Sequence, residues 1–196
     1  NGFNTYLGGM LVASRNSSDV NLPTFSGVIT YLGAYNGNAE LMTGQLDEVR
    51  IWNVARTGIQ ISENMCRALN PDNETNLVAY YKFDHILGST SLGDMKNGSS
   101  GTLTSMDVNT AWVRSGIPFG TNALVLQSTT PTPIGTTGQS CSVTITSTPD
   151  ASNFLNLYHD AIGFGPVSTA DVGVWPLGVV KRADIIWGIH AMGAVT

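Results

Sequence analysis

The chain has 196 residues, enough for one large β domain or two small ones. Charged residues make up 12% and the formal net charge is −5, against a typical charged share of about 25%. That balance excludes the basic patch on which nucleic-acid binding rests, since Lys181-Arg182 is the only basic pair, and no apolar run approaches the ~18 to 20 residues of a membrane span.

Abundant Gly, Ser, Thr and Asn suit an extracellular β-rich surface that hydroxyls and amides keep in solution. The chain opens Asn1-Gly2-Phe3-Asn4-Thr5-Tyr6, with no initiating Met, no charged leader and no apolar leader. It reads as a piece of a longer secreted or cell-surface protein. Val28 to Tyr35 is a β-rich run closed by the turn signal Asn36-Gly37-Asn38. Residues 45 to 53 predict a strand in which Val49 and Ile51 share one face while Glu48, Arg50 and Trp52 share the other, so that Glu48 and Arg50 can pair.

Thr57, with Gln60 three residues on, predicts a capping box opening a helix over 58–69, with Ile61, Met65 and Leu69 as its apolar stripe and Asn70-Pro71 as its stop. Asn76 to Asp84 predicts the next strand, with Leu77, Ala79, Tyr81 and Phe83 on the core face and Tyr80 facing outward. The Thr/Pro/Gly-rich stretch 128–138 reads as loop or linker. Beyond it, the runs 142–147, 154–158 and 183–190 predict strands of a second, Ig-like β module. The division expected is therefore 1–118, a linker at 119–141, and 142–196.

The stretch Gly44-Gln45-Leu46-Asp47-Glu48-Val49-Arg50-Ile51-Trp52-Asn53-Val54-Ala55-Arg56-Thr57 resembles the signature of the laminin-G-like jelly rolls, a branch of the concanavalin A-like lectin/glucanase sandwiches. Gly9 to Ser14 resembles a hairpin arm of the family, Asn76 to Asp84, Asp94 to Leu103 and Trp112 to Gly116 are similar to later family segments, and the resemblance spans about residues 6 to 118. It implies an all-β chain: a partial jelly-roll β-sandwich lacking its N-terminal part, followed by the small second module. The function it implies is non-catalytic binding or adhesion outside the cell, toward carbohydrate or a surface protein. The alternatives are a structural spacer of a large surface protein and a glycoside hydrolase-associated module.

The resemblance also implies a structural calcium near Asp47, with Asp84, Asp94 and Asn97 as further oxygen donors. The competing reading of Asp47 is a carboxylate that accepts backbone amides in the turn before its strand. Glycoside hydrolysis requires two carboxylates flanking one bond, whereas Asp47 and Glu48 are adjacent and point to opposite faces. Aromatic rings stack on the apolar faces of sugars. Tyr31, Tyr35, Trp52, Tyr80 and Trp112 are the candidates, and Tyr35, Tyr80 and Trp112 are taken as the ligand-binding set. His85, His159 and His190 lie far apart in sequence and form no legible catalytic constellation. Cys66 and Cys141 are too few for a zinc site. Either they form one disulfide or they are two buried free thiols.

Overall fold

The computed structural model describes residues 2–16, 29–37, 39–113, 115, 117, 119–120, 122–126, 132–136, 139–143, 154–161 and 185–192. Of the segments singled out above, Val28, Asn38, Arg114, Gly116, 128–131, 144–147 and 181–184 lie outside them. The protein is mostly strand, in small antiparallel sheets, with one α-helix among the described residues. No helix of the described residues is long and apolar enough to cross a membrane.

The chain divides into two compact units, each assembled from separate stretches. One takes Asn16–Arg56 and Asn70–Gly116; the other takes Phe3–Arg15, Thr57–Leu69 and Ile117–Thr196. The units interleave along the chain, whereas the sequence reading cuts it at 118 and 142.

In the first unit, β3 (Val49–Trp52) pairs antiparallel with β4 (Leu77–Tyr81), Arg50 opposite Tyr80 and Ile51 opposite Ala79, with a bulge between Ile51 and Trp52. Two-residue strands β5 (Ser91–Leu92) and β6 (Gly101–Thr102) form a hairpin whose connection begins at Gly93 and includes Asp94. Among the described residues of this unit, Leu77, Ala79, Tyr80 and Leu92 are the buried hydrophobic ones. Tyr81 and Phe83, expected in the core, are only half-buried, and Phe83 adopts φ +60°. A strand cannot keep alternating through a left-handed residue, so the periodic pattern ends at Tyr81. The run expected as strand over 28–35 has no strand among Ile29–Ala34; only Tyr35 bridges, to Ala39 across the Asn36-Gly37 turn.

In the second unit, β1 (Gly2–Leu7) and β2 (Met10–Asn16) form the expected hairpin around Gly8 and Gly9, both at positive φ. Its tip packs inward. A Cβ on Gly9 would lie 2.8 Å from Met65 Sδ and 3.0 Å from Phe154, so only glycine fits there.

Helix α1 runs Gly58–Asn64, shorter than the 58–69 that periodicity predicts. Thr57 caps it as expected: its hydroxyl accepts from Gln60 N at 3.2 Å, and Gln60 Oε1 accepts from Thr57 N at 3.0 Å. Tertiary pairing sets the early stop. Gly120 N donates to Cys66 O at 3.0 Å and Ala68 N donates to Gly120 O at 2.8 Å, which takes these groups from the helix ladder. The buried residues of this segment are therefore Ser62, Cys66 and Leu69, while Ile61 and Met65 are half-buried.

Strands β7 (Asn122–Leu126), β10 (Phe154–Ala161) and β11 (Ile185–Met192) form a three-stranded antiparallel sheet with β10 in the centre. The stretch read as linker holds β8 (Thr132–Thr136), paired with β9 (Gln139–Val143), Ile134 opposite Cys141. Pro133 sits in this two-stranded ribbon, where proline is tolerated because an edge strand need not donate at every residue. Cys66 is a free, buried thiol, held up at a pKa of about 11 by burial.

Candidate functional site

Within the first unit the loop 29–42 presents aromatic rings to solvent on a braced backbone. Tyr35 N donates to Ala39 O at 2.7 Å, Ala39 N to Tyr35 O at 3.0 Å, and Met42 N to Gly33 O at 2.9 Å. Gly33, Asn36 and Gly37 adopt positive φ, which glycine and asparagine reach at little cost. Ile29, Tyr31, Ala34, Tyr35 and Asn36 line an open cleft of about 410 Å³, within the ~300 to 1,000 Å³ range of small-ligand sites. Tyr35 is 67% exposed and Tyr31 41%. Gly37 packs against the Tyr31 ring so closely that a Cβ there would lie 2.7 Å from Cε1. The ring is thus seated by a residue that has no side chain.

The other aromatic candidates are spent on structure. Tyr80, expected to face outward, is 0% exposed. Its hydroxyl donates to Glu48 Oε2, its ring lies 5.2 Å from the Arg50 guanidinium carbon, and its backbone N–H donates to Asp94 Oδ1 at 3.0 Å. Both faces of β4 are covered at this point, so alternation does not send Tyr80 to solvent. A ring with no exposed face is no stacking platform.

Trp112 is half-buried; its Nε1 donates to Ser89 O at 2.9 Å, and His85 stacks on it at 4.7 Å between ring centroids. Gly93 N donates to His85 Nε2 at 3.2 Å. Trp52 carries the Arg56 guanidinium 4.0 Å above its ring.

The expected pair forms: Arg50 Nη2 donates to Glu48 Oε2 at 2.8 Å, with both side chains largely buried. Glu48 sits at φ +53°. Burial raises its carboxyl above the ordinary 4.5, while the bonds from Tyr80 and Arg50 pull the other way. Burial and the Glu48 bond together push the Tyr80 hydroxyl up to about 12. This is a packed polar anchor between β3 and β4.

The oxygen donors considered for calcium do not form a cage. Asp94 Oδ1 accepts from Tyr80 N at 3.0 Å and Lys96 N at 2.9 Å; Oδ2 accepts from Asn97 N and Ser99 N, each at 3.2 Å. Burial pushes the Asp94 carboxyl up, but these four amides outweigh it and leave its pKa below the ordinary value of 3.8. Asn97 Nδ2 donates to Val78 O. Asp47 is half-buried and Asp84 exposed. Among the described residues no three carboxylate, imidazole or thiolate groups come together as a metal site. Calcium requires six to eight oxygens, and a carboxylate already filled by four backbone amides is a poor member of such a set.

Among the described residues, this cleft is a place where two sequence candidates, Tyr31 and Tyr35, join other residues in an open surface. Ile29, Ala34 and Asn36 were not foreseen there. The Asn36-Gly37 turn was the available signal, because a tight turn next to aromatics lifts their rings onto a loop. Comparison with protein-family profiles, with curated proteins and with solved structures finds no match for this chain.

Proposed function

We propose that this chain is a non-catalytic extracellular binding module that recognises carbohydrate, and that the Tyr31–Tyr35 cleft is its binding surface. The observation that carries the reading is the pair of tyrosines on a braced loop, lining an open cleft of about 410 Å³. Rings presented in this way stack on the C–H face of a pyranose, and tyrosine adds a polar tip for a hydroxyl. The resemblance of residues 44 to 57 to the laminin-G-like jelly rolls supports the same class of function, as does a surface rich in hydroxyl and amide side chains. On this reading the first unit is part of a jelly-roll sandwich of a secreted or surface protein, and the C-terminal strands belong to an Ig-like module. Catalysis is not proposed: Glu48 is committed to Arg50 and Tyr80, whereas glycoside hydrolysis requires a pair of carboxylates free to flank the bond.

A glycan array probed with the full chain tests the proposal. Binding that is lost in Tyr35→Ala and kept in Tyr35→Phe supports it. An array with no signal for the wild-type chain contradicts it.

A further inference from the structure

We infer that the cleft selects uncharged saccharides, the exposed pyranose faces of a neutral glycan chain, and rejects acidic ones; this rests on the carbohydrate-binding reading above. The five lining residues, Ile29, Tyr31, Ala34, Tyr35 and Asn36, carry no formal charge. The sequence around them is more telling. From Asn16 to Val49 the chain holds no Lys or Arg, while Asp19, Glu40, Asp47 and Glu48 lie in the same span. The nearest basic residue along the chain after the loop is Arg50, and its guanidinium is held by Glu48 at 2.8 Å.

A uronate, sulfate or sialate needs a cation or a set of aligned amides to offset its desolvation. None of the lining residues supplies a cation, and the stretch of sequence that carries them adds carboxylates but no Lys or Arg. A neutral pyranose needs only what is present: apolar ring faces for its C–H surface, and amide and phenol groups for its hydroxyls. The Asn36 amide at the tip of the turn both donates and accepts, which matches a sugar hydroxyl and makes no demand for charge. Electrostatic steering plays no part in such recognition, so its affinity is insensitive to salt.

The test is a titration of the full chain, followed by tyrosine fluorescence and calorimetry, against two probe sets. One set is neutral: cellohexaose, galactohexaose and mannohexaose. The other is acidic: oligogalacturonate, a heparin oligosaccharide and a sialylated trisaccharide. The expected result is saturable binding of at least one neutral probe, with an affinity that changes less than twofold between 50 mM and 500 mM salt. Tyr35→Ala weakens it tenfold or more. Acidic probes bind at least tenfold more weakly than the best neutral one. Binding of an acidic probe that falls steeply with salt overturns the inference while leaving the carbohydrate reading intact. No binding of any probe, neutral or acidic, overturns both.

Discussion

At Gly37 the backbone sits at φ +80°, and a methyl group would come within 2.7 Å of the Tyr31 ring. Gly37→Ala therefore places an L-residue in a left-handed conformation, which costs about 1–2 kcal/mol, and it displaces the ring that lines the cleft. Urea denaturation should show that loss, and sugar titration should show weakened binding beyond what the small stability change explains. Combining the change with Tyr31→Ala should abolish the binding part of the effect, because the ring it displaces is then gone. Asp94 is the second residue with a defined consequence. Its folded pKa lies below 3.8, so the stabilisation it provides is fully present above that pH and is lost as pH falls through the folded value. Melting curves from neutral pH down to about pH 2 should therefore separate the wild type from Asp94→Asn. The variant should be roughly 1 kcal/mol less stable near neutral pH, and the difference should close at the acid end. Glu48 runs opposite: a carboxyl raised above 4.5 contributes stability that is complete below that pH and is lost as pH rises through its folded value. At this scale the Glu48–Arg50 pair was expected from the sequence, but strand alternation is not what forms it: Glu48 lies just outside β3 at φ +53° and still reaches Arg50 at 2.8 Å. The burial of Tyr80 was not expected. It depends on Glu48 and Asp94 converging on β4 from 32 and 14 residues away along the chain, and no local pattern encodes that.

The helix shows how local rules and tertiary pairing divide control of an element. Thr57 and Gln60 fix where α1 starts, and the reciprocal bonds are those the capping-box pattern predicts. Thr57→Ala should lower stability by about 1 kcal/mol, read by chemical denaturation; no change would mean that packing alone holds the seven-residue helix in place. The end of α1 was not legible, because Gly120, more than fifty residues further on, bonds to Cys66 and Ala68 and draws the chain out of the helix. The same limit explains β8. A Thr/Pro/Gly-rich stretch carries the composition of a loop, yet Thr132–Thr136 finds a partner in Gln139–Val143, and pairing overrides composition. The β1–β2 hairpin was expected only through the family resemblance of Gly9 to Ser14. By contrast, the Asn36-Gly37 turn was readable, because its chemistry is local: residues that tolerate positive φ sit where the chain must reverse. The strand expected just before that turn fails for the converse reason. Ile29 to Ala34 have no ladder partner among the described residues, and they serve instead as the wall of the cleft.

Over the whole molecule, the sequence conveyed the β-rich character and the place of β2, β3, β4, β10 and β11, but not the way two units are drawn from interleaved stretches. That assembly rests on contacts between segments far apart in the chain, such as Asn156 Nδ2 donating to Ser62 O at 3.0 Å. The net charge of −5 and the scarcity of basic residues fit a protein that meets uncharged partners through shape and stacking. The central claim is that recognition is confined to one cleft on one loop. Its most direct measurement is an amide and aromatic NMR titration of the isotope-labelled full chain with a neutral hexasaccharide. The account predicts dose-dependent shifts at Tyr31, Ala34, Tyr35 and Asn36, with Trp112, Tyr80 and the Asp94 turn unmoved. Shifts centred on Trp112 and His85 with a silent 29–37 loop, or no shifts at saturating sugar, would contradict it.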